Sequence, residues 1–385
     1  MHDQPELDHI MNTELSLESI ELSLYRYPKR SVEQLQAWDS ADEYILNTVA
    51  DLTLAEQSSI LIFNDSFGAL TCAYNQHNVT TVSDSWISHA AIAQNLDENE
   101  LSTEQVKVQD CLAALPKNID LVLIKIPRTL SLLEHQLAML SHVVTPNTTI
   151  IAGAKAKDIH NSTLALFEKY LGETKTSLAK KKSRLIFSTI TETKALEIPA
   201  PVAWDIAKTN ISLSNHANVF SRNNLDIGGN FFMQYLPKGE YQHIIDLGCG
   251  NGVIGITAAR LNPQAKITFV DESFMAIASA KENAAANIAN HEPDVEFLVN
   301  NCLYDYEPHS VDLVLCNPPF HQEKAITDHI AWQMFKDAHR ALAWGGALYI
   351  VGNRHLDYHI KLDRLFDNHE IVASNAKFVI IKAQK

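Results

Sequence analysis

Residues 244–255 read Ile-Ile-Asp-Leu-Gly-Cys-Gly-Asn-Gly-Val-Ile-Gly. A short apolar run turns glycine-rich, as a buried parallel strand does when it feeds a tight turn. A helix-like stretch begins near Val253. Gly248, Gly250, Gly252 and Gly255 let the backbone adopt positive φ and let a ligand approach without meeting a Cβ. The helix N-terminus that follows offers free N–H groups and positive dipole to an anionic part of that ligand. Asp271 comes after a second apolar strand, Ala265 to Val270. A carboxylate there can accept two hydrogen bonds from ribose hydroxyls.

Gly250 to Gly255 also matches the dinucleotide fingerprint G-x-G-x-x-G, with an acid about twenty residues on, so the motif alone leaves NAD and S-adenosylmethionine open. Asp246, just before the first glycine, favours the second. It would repel a pyrophosphate but could bind the amino group or the sulfonium side of S-adenosylmethionine. The motif's position deep in the chain, and its neighbour described next, point the same way.

That neighbour is Asn317-Pro318-Pro319-Phe320, which ends the apolar strand Val311 to Cys316. The prolines fix φ, remove N–H donors and stiffen the loop. The Asn317 side-chain oxygen and the Pro318 carbonyl can then both point into one pocket as acceptors. An –NH₂ group suits them, because gripping both hydrogens aims the nitrogen lone pair, otherwise delocalised, at an electrophilic methyl. Alignment of such an in-line displacement can supply several kcal/mol, and no strong base is required. Phe320 is placed to stack on a planar substrate, worth roughly 1–3 kcal/mol for a base on an aromatic ring. A stiff strand-to-loop corner with no chemistry leaves the polar Asn317 between apolar residues unexplained.

Working outward, the N-terminal half repeats the order of these segments. Ile60-Leu61-Ile62-Phe63-Asn64-Asp65 with Gly68 parallels the glycine-rich turn, and Val82-Ser83-Asp84-Ser85 parallels Val270-Asp271-Glu272-Ser273. Asp120-Leu121-Val122-Leu123 parallels Asp312-Leu313-Val314-Leu315, and Ile150 to Lys155 parallels Tyr349 to Arg354. Four matches in unchanged order imply two similar α/β domains. The first copy retains only Gly68 of the turn and has Lys125-Ile126-Pro127-Arg128 where the second has Asn317 to Phe320, so it reads as degenerate and non-catalytic. Residues 194–215, with Pro199 and Pro201 and little helical periodicity, read as the joint.

A chain of 385 residues is long enough for two cores. With 46% hydrophobic and 20% charged residues it has the composition of a soluble globular protein. The acidic start and the absence of any long apolar run argue against a signal peptide or a membrane span. Five cysteines without a C-x-x-C pair, and seventeen histidines without ligand spacing, argue against a disulfide framework or a metal site and for the cytoplasm. The net charge of −15 disfavours phosphate binding at first sight. Its distribution is uneven: residues 1–60 carry twelve acids against three bases. Lys155, Lys157, Lys169, Lys175, Lys180, Lys181, Lys182 and Arg184 face only Asp158, Glu168 and Glu173 within 153–184. A solvated helical face and a nucleic-acid contact both fit that run.

On these residues the chain resembles class I N-methyltransferases. It most resembles the ribosomal RNA guanine-N2 methyltransferases that carry a degenerate N-terminal duplicate, and among them the large-subunit branch. Further matches are Gln36-Ala37-Trp38, Asn64-Asp65, Ala152-Gly153-Ala154-Lys155, Asn218 to Arg222, Leu225-Asp226-Ile227-Gly228 and Asn353-Arg354-His355-Leu356. The resemblance implies an α/β chain of two tandem class I, Rossmann-like methyltransferase domains. Residues 1–195 would be the degenerate copy that recognises RNA, and 196–385 the catalytic domain. It implies S-adenosyl-L-methionine as cofactor and guanine N2 of 23S rRNA, protein-free or partly assembled, as target, with no metal and a monomeric chain. Asp246, Gly248 and Gly250 would line the methionine end of the cofactor, Asp271 its ribose and Asn301 its adenine. Asn317, Pro318 and Phe320 would hold the base, and Phe220 and Asp226 would close over the cofactor. The rivals are 16S rRNA, adenine N6 or a glutamine amide as target, and a non-catalytic RNA-binding assembly factor.

Overall fold

The computed structural model describes residues 12–30, 33, 35–288, 294–319 and 324–385. The chain divides between Pro199 and Ala200 into two compact units.

The first unit opens with a hairpin, β1 (Glu14–Leu17) and β2 (Ile20–Ser23). There follow α1 (Ser40–Ala50), β3 (Ser59–Phe63), α2 (Ala69–Ala73), β4 (Asn78–Val82) and α3 (Trp86–Glu98). Then come β5 (Val106–Gln109), β6 (Leu121–Lys125), α4 (Leu130–Ser141) and β7 (Thr149–Lys155). It ends with α5 (Asn161–Leu171), β8 (Glu173–Thr176) and β9 (Ser183–Thr189).

The second unit repeats this order element for element. Its hairpin is β10 (Val202–Asp205) and β11 (Ser212–Asn215), followed by α6 (Ile227–Met233), β12 (His243–Leu247) and α7 (Val253–Leu261). Next are β13 (Lys266–Asp271), α8 (Phe274–Asn287), β14 (Val295–Val299), β15 (Val311–Cys316) and α9 (Lys324–Ala341). β16 (Leu342–Asn353), α10 (Tyr358–Phe366), β17 (Glu370–Ser374) and β18 (Phe378–Gln384) complete it.

The two seven-stranded sheets have equivalent orders, β5-β4-β3-β6-β7-β9-β8 and β14-β13-β12-β15-β16-β18-β17. Each is parallel except near one side, where β9 or β18 runs antiparallel to both of its neighbours. The central strands are apolar on both faces because helices cover both. In the second unit Ile244, Leu313 and Leu315 enter the core layer that holds Phe232 of α6 and Val253 of α7. Ile245, Leu247, Val314 and Cys316 enter the opposite layer, with Phe335 of α9 and Leu362 of α10.

The repeat extends to single hydrogen bonds. Ser85 caps α3 by accepting from Ser88 N, and Ser273 caps α8 by accepting from Ala276 N. Asp120 Oδ2 accepts from Ser59 N, and Asp312 Oδ2 accepts from Gln242 N and His243 N. Residues 194–215 are not simply a joint, because they contain β10 and β11. Those strands have only four residues each, too few for their alternation to stand out in sequence.

Candidate active site

In an open α/β sheet, ligands bind beyond the carboxyl ends of the strands, where strand order reverses. In the second unit that reversal flanks β12, whose neighbours are β13 and β15. Gly248, Asp271, Asn301 and Asn317 all stand at or just past carboxyl ends of β12 to β15.

The turn after β12 is built from three left-handed glycines, with φ of 72° at Gly248, 54° at Gly250 and 82° at Gly252. They serve different ends. A Cβ at Gly252 would lie 3.0 Å from Ala280 Cβ, so that glycine is required by packing against α8. A Cβ at Gly250 would meet nothing within 4 Å, so its bare backbone faces open space. Gly250 N donates to Asp271 Oδ2 (2.9 Å) and Ser273 N donates to Asp271 Oδ1 (3.0 Å). Each oxygen of Asp271 keeps acceptor capacity for a further donor.

Asp246 is 2% exposed and accepts from Gly255 N at 2.7 Å, which ties the end of β12 to the first turn of α7. Burial pushes its carboxyl up to about 7; the Gly255 N–H opposes that rise and the nearby Asp271 charge adds to it. A cationic ligand group beside it would favour the ionised form. Asn301 is 4% exposed and its Oδ1 accepts from Gln333 Nε2 at 3.2 Å.

Asn317 follows β15. Its Nδ2 donates to Asp226 Oδ2 at 3.3 Å, and the same carboxylate oxygen accepts from Gly229 N (2.7 Å) as the N-cap of α6. A carboxylate only accepts, so this contact sets the orientation of the Asn317 amide. Asn317 Oδ1 is left buried with no hydrogen-bond partner among the described residues. Leaving such an acceptor unsatisfied costs about 1–3 kcal/mol, which a ligand donor would recover. Asp226 therefore lies against Asn317, a contact its expected place over the cofactor did not include. Pro318 is buried. Phe320 lies outside the described residues, and Phe220, between β11 and α6, is 54% exposed.

A set of asparagines absent from the sequence reading supports the loop from behind. Asn283 accepts from Ser214 N (2.6 Å) and donates to Ser214 O and Asn251 O (both 2.9 Å). One turn on, Asn287 brackets Ser212 in the same way. Asn95 of α3 and Asn99 at its C-cap bracket Tyr25 and Ser23 identically. The signal was an Asn pair at i and i+4 at the C-terminal end, up to the last residue or the C-cap, of each of the two alanine-containing helices.

The first unit shows what the site becomes without these groups. Asn64 takes the left-handed place of Gly248 (φ 61°), and Gly68 takes that of Gly252 (φ 90°). Asp65 fills the turn, accepting from Gly68 N, Thr71 N and Thr71 Oγ1 at 3.1, 2.7 and 2.7 Å. Lys125, at the position of Asn317, is paired with Asp39 (2.6 Å) and Asp42 (2.8 Å) at the start of α1. An orienting amide–carboxylate contact is thus replaced by a closed ion pair.

Among the described residues no helix is long and apolar enough to cross a membrane, and no cluster of three or more His, Cys, Asp or Glu could hold a metal. Residues 12–192 match the family described as RLMG N-terminal domain, and 210–382 match the Methyltransferase small domain. Ribosomal RNA large subunit methyltransferase G of Aeromonas salmonicida (strain A449) is 53% identical over 379 residues, covering 97% of this chain and all of that one. The protein of that name from Psychromonas ingrahamii is 51% identical over 380 residues, with the same coverage. Of the solved structures, the T. thermophilus 16S rRNA N2 G1207 methyltransferase (RsmC), in complex with AdoMet and guanosine, has a similar fold. Its TM-score is 0.75 at 18% identity, over 97% of each chain. The chain belongs to the ribosomal RNA large subunit methyltransferase G family, as an S-adenosylmethionine-dependent methyltransferase.

Proposed function

We propose that this chain transfers a methyl group from S-adenosylmethionine to the exocyclic N2 of a guanine in 23S rRNA, with the base turned out of its stack. The observation that carries the proposal is the buried, unpartnered Oδ1 of Asn317, held in place through Nδ2 by Asp226. Asn317 Oδ1 and the Pro318 carbonyl accept the two hydrogens of the amine. The lone pair is thereby released from conjugation with the ring and aimed along the line of displacement. When bound, S-adenosylmethionine supplies an electrophilic methyl. The amine proton becomes acidic only as the methyl arrives, so the residues beside it need only hold the nitrogen in line.

The chain's own groups fit that cofactor. The open space at Gly250 admits a ligand against bare backbone, Asp271 retains acceptor capacity for ribose, and Asp246 lies beneath the turn. Asp246, Gly248 and Gly250 are assigned to the methionine end and Asn301 to the adenine; Phe220 keeps its place as a cover. The first unit is assigned to RNA recognition. Lys155, Lys157 and Lys182 are exposed there, whereas Lys169, Lys175 and Lys181 are paired with Glu134, Glu173 and Glu43. The working unit is taken to be a monomer in the cytoplasm, acting before the subunit is complete. Turning a base out costs a few kcal/mol in a duplex and less in a loop.

The test is transfer of labelled methyl to protein-free 23S rRNA, assembled large subunits and 16S rRNA in parallel, with nucleoside analysis of each. Label recovered as N2-methylguanine from protein-free 23S rRNA alone is expected. Label in adenine, in 16S rRNA or in protein would replace the substrate.

A further inference from the structure

Two side-chain carbonyl oxygens are buried without a hydrogen-bond partner among the described residues of the second unit, those of Asn317 and Asn353. Asn353 ends β16 and is 8% exposed. Strands β15 and β16 are parallel and adjacent, with Cys316 opposite Ile350. Side chains alternate along a strand. Leu313 and Leu315 point into the core layer beneath α6, and Asn317 continues that alternation to reach Asp226 at the cap of α6. Val351 points into the same layer, and Asn353 is two residues further along. The two amides therefore face the same side of the sheet at its carboxyl end.

A chain of contacts joins them. Asn353 pairs across the sheet with Phe378. A Cβ at Gly228 would lie 3.2 Å from Phe378 and 3.1 Å from Asp226 Oδ2, and that oxygen holds Asn317. The two unsatisfied acceptors thus lie on one side of the sheet, past the carboxyl ends of neighbouring strands, linked through Phe378, Gly228 and Asp226. A buried carbonyl oxygen left without a donor carries a cost that makes a ligand donor its natural complement.

We propose that Asn353 Oδ1 accepts the N1–H of the target guanine and so sets the choice of guanine over adenine. The proposal rests on the guanine-N2 reading above. Guanine presents its N2 hydrogens and its N1–H side by side, a run of donors that meets a run of acceptors. Adenine turned to present N6 would bring the N1 lone pair against Asn353 Oδ1, acceptor to acceptor. A site built to bond a substrate N–H rejects analogues that lack it, because its own polar group is then left unpaired.

The test uses the full chain and an RNA carrying the wild-type methylation site, prepared with guanine or with 2-aminopurine at that position. 2-Aminopurine keeps the C2 amine but has no N1–H. Wild type is expected to prefer guanine by about 10- to 100-fold in kcat/KM. Asn353→Ala should lose most of that preference while its affinity for S-adenosylmethionine is unchanged. Asn353→Asp, which retains an acceptor, should keep the preference. An Asn353→Ala enzyme with the wild-type preference would overturn the assignment and leave the methyltransferase reading standing. Wild-type indifference to the exchange would overturn it without any variant. Absence of N2-methylguanine in every RNA offered to wild type would instead remove the reading on which it rests.

Discussion

Asp226 has two duties that its position as a helix cap alone does not reveal. It holds the first turn of α6 through Gly229 N and orients the Asn317 amide through Nδ2. Asp226→Ser separates them, because serine is about as good an N-cap as aspartate but its shorter side chain does not reach the Asn317 amide. Thermal stability should change little, whereas kcat should fall about 10- to 100-fold, the loss of a preorganised contact. Calorimetric melting and single-turnover methyl transfer measure the two effects, and equal loss in both would assign Asp226 to structure alone. Asn317 itself was legible in the sequence as a polar residue ending an apolar strand before two prolines. Its partner was not, since 91 residues separate them and no local pattern records a contact that only the fold creates.

At the scale of elements, the glycine turn, its strand and the start of α7 at Val253 follow the sequence closely, because period, glycine and length all agree there. The hairpins did not announce themselves. Four-residue strands carry two alternations at most, and these are held less by their own propensity than by Asn283 and Asn287 reaching over from α8. Asn283→Ala removes three hydrogen bonds and strands Ser214 N–H and two carbonyls, one of them at Asn251 in the glycine turn. The expected loss is about 2–3 kcal/mol, from buried groups left unpaired. Asn287→Ala, at the more exposed end of α8, should cost less. Denaturant unfolding of the full chain orders the two, and equal costs would contradict the burial argument.

Across the whole molecule, four short matches in order were enough to reveal the duplication, and the divergence of the copies explains why only one was assigned chemistry. The sequence shows the missing glycines. Only the structure shows that Asp65 now fills the turn and that Lys125 is neutralised by Asp39 and Asp42. Lys125→Met should destabilise the first unit by about 3 kcal/mol, the low end for a buried pair because Asp39 is half-exposed. Burial pushes the Asp42 carboxyl up to about 6 even with Lys125 beside it. As pH falls through that value Asp42 takes up a proton, so the defect should shrink; amide hydrogen exchange in β6 and α1 at pH 5 and pH 8 checks both claims. At the position after the fourth parallel strand, the second copy has an oriented amide with a free acceptor among the described residues where the first has the paired Lys125. The proposed methyl transfer depends on that amide. The decisive measurement is therefore Asn317→Ala in the full chain, comparing single-turnover methyl transfer to 23S rRNA with S-adenosylmethionine affinity by calorimetry. The expected result is a rate lower by at least about 100-fold with cofactor affinity retained; a rate equal to wild type would contradict the amine-orienting site.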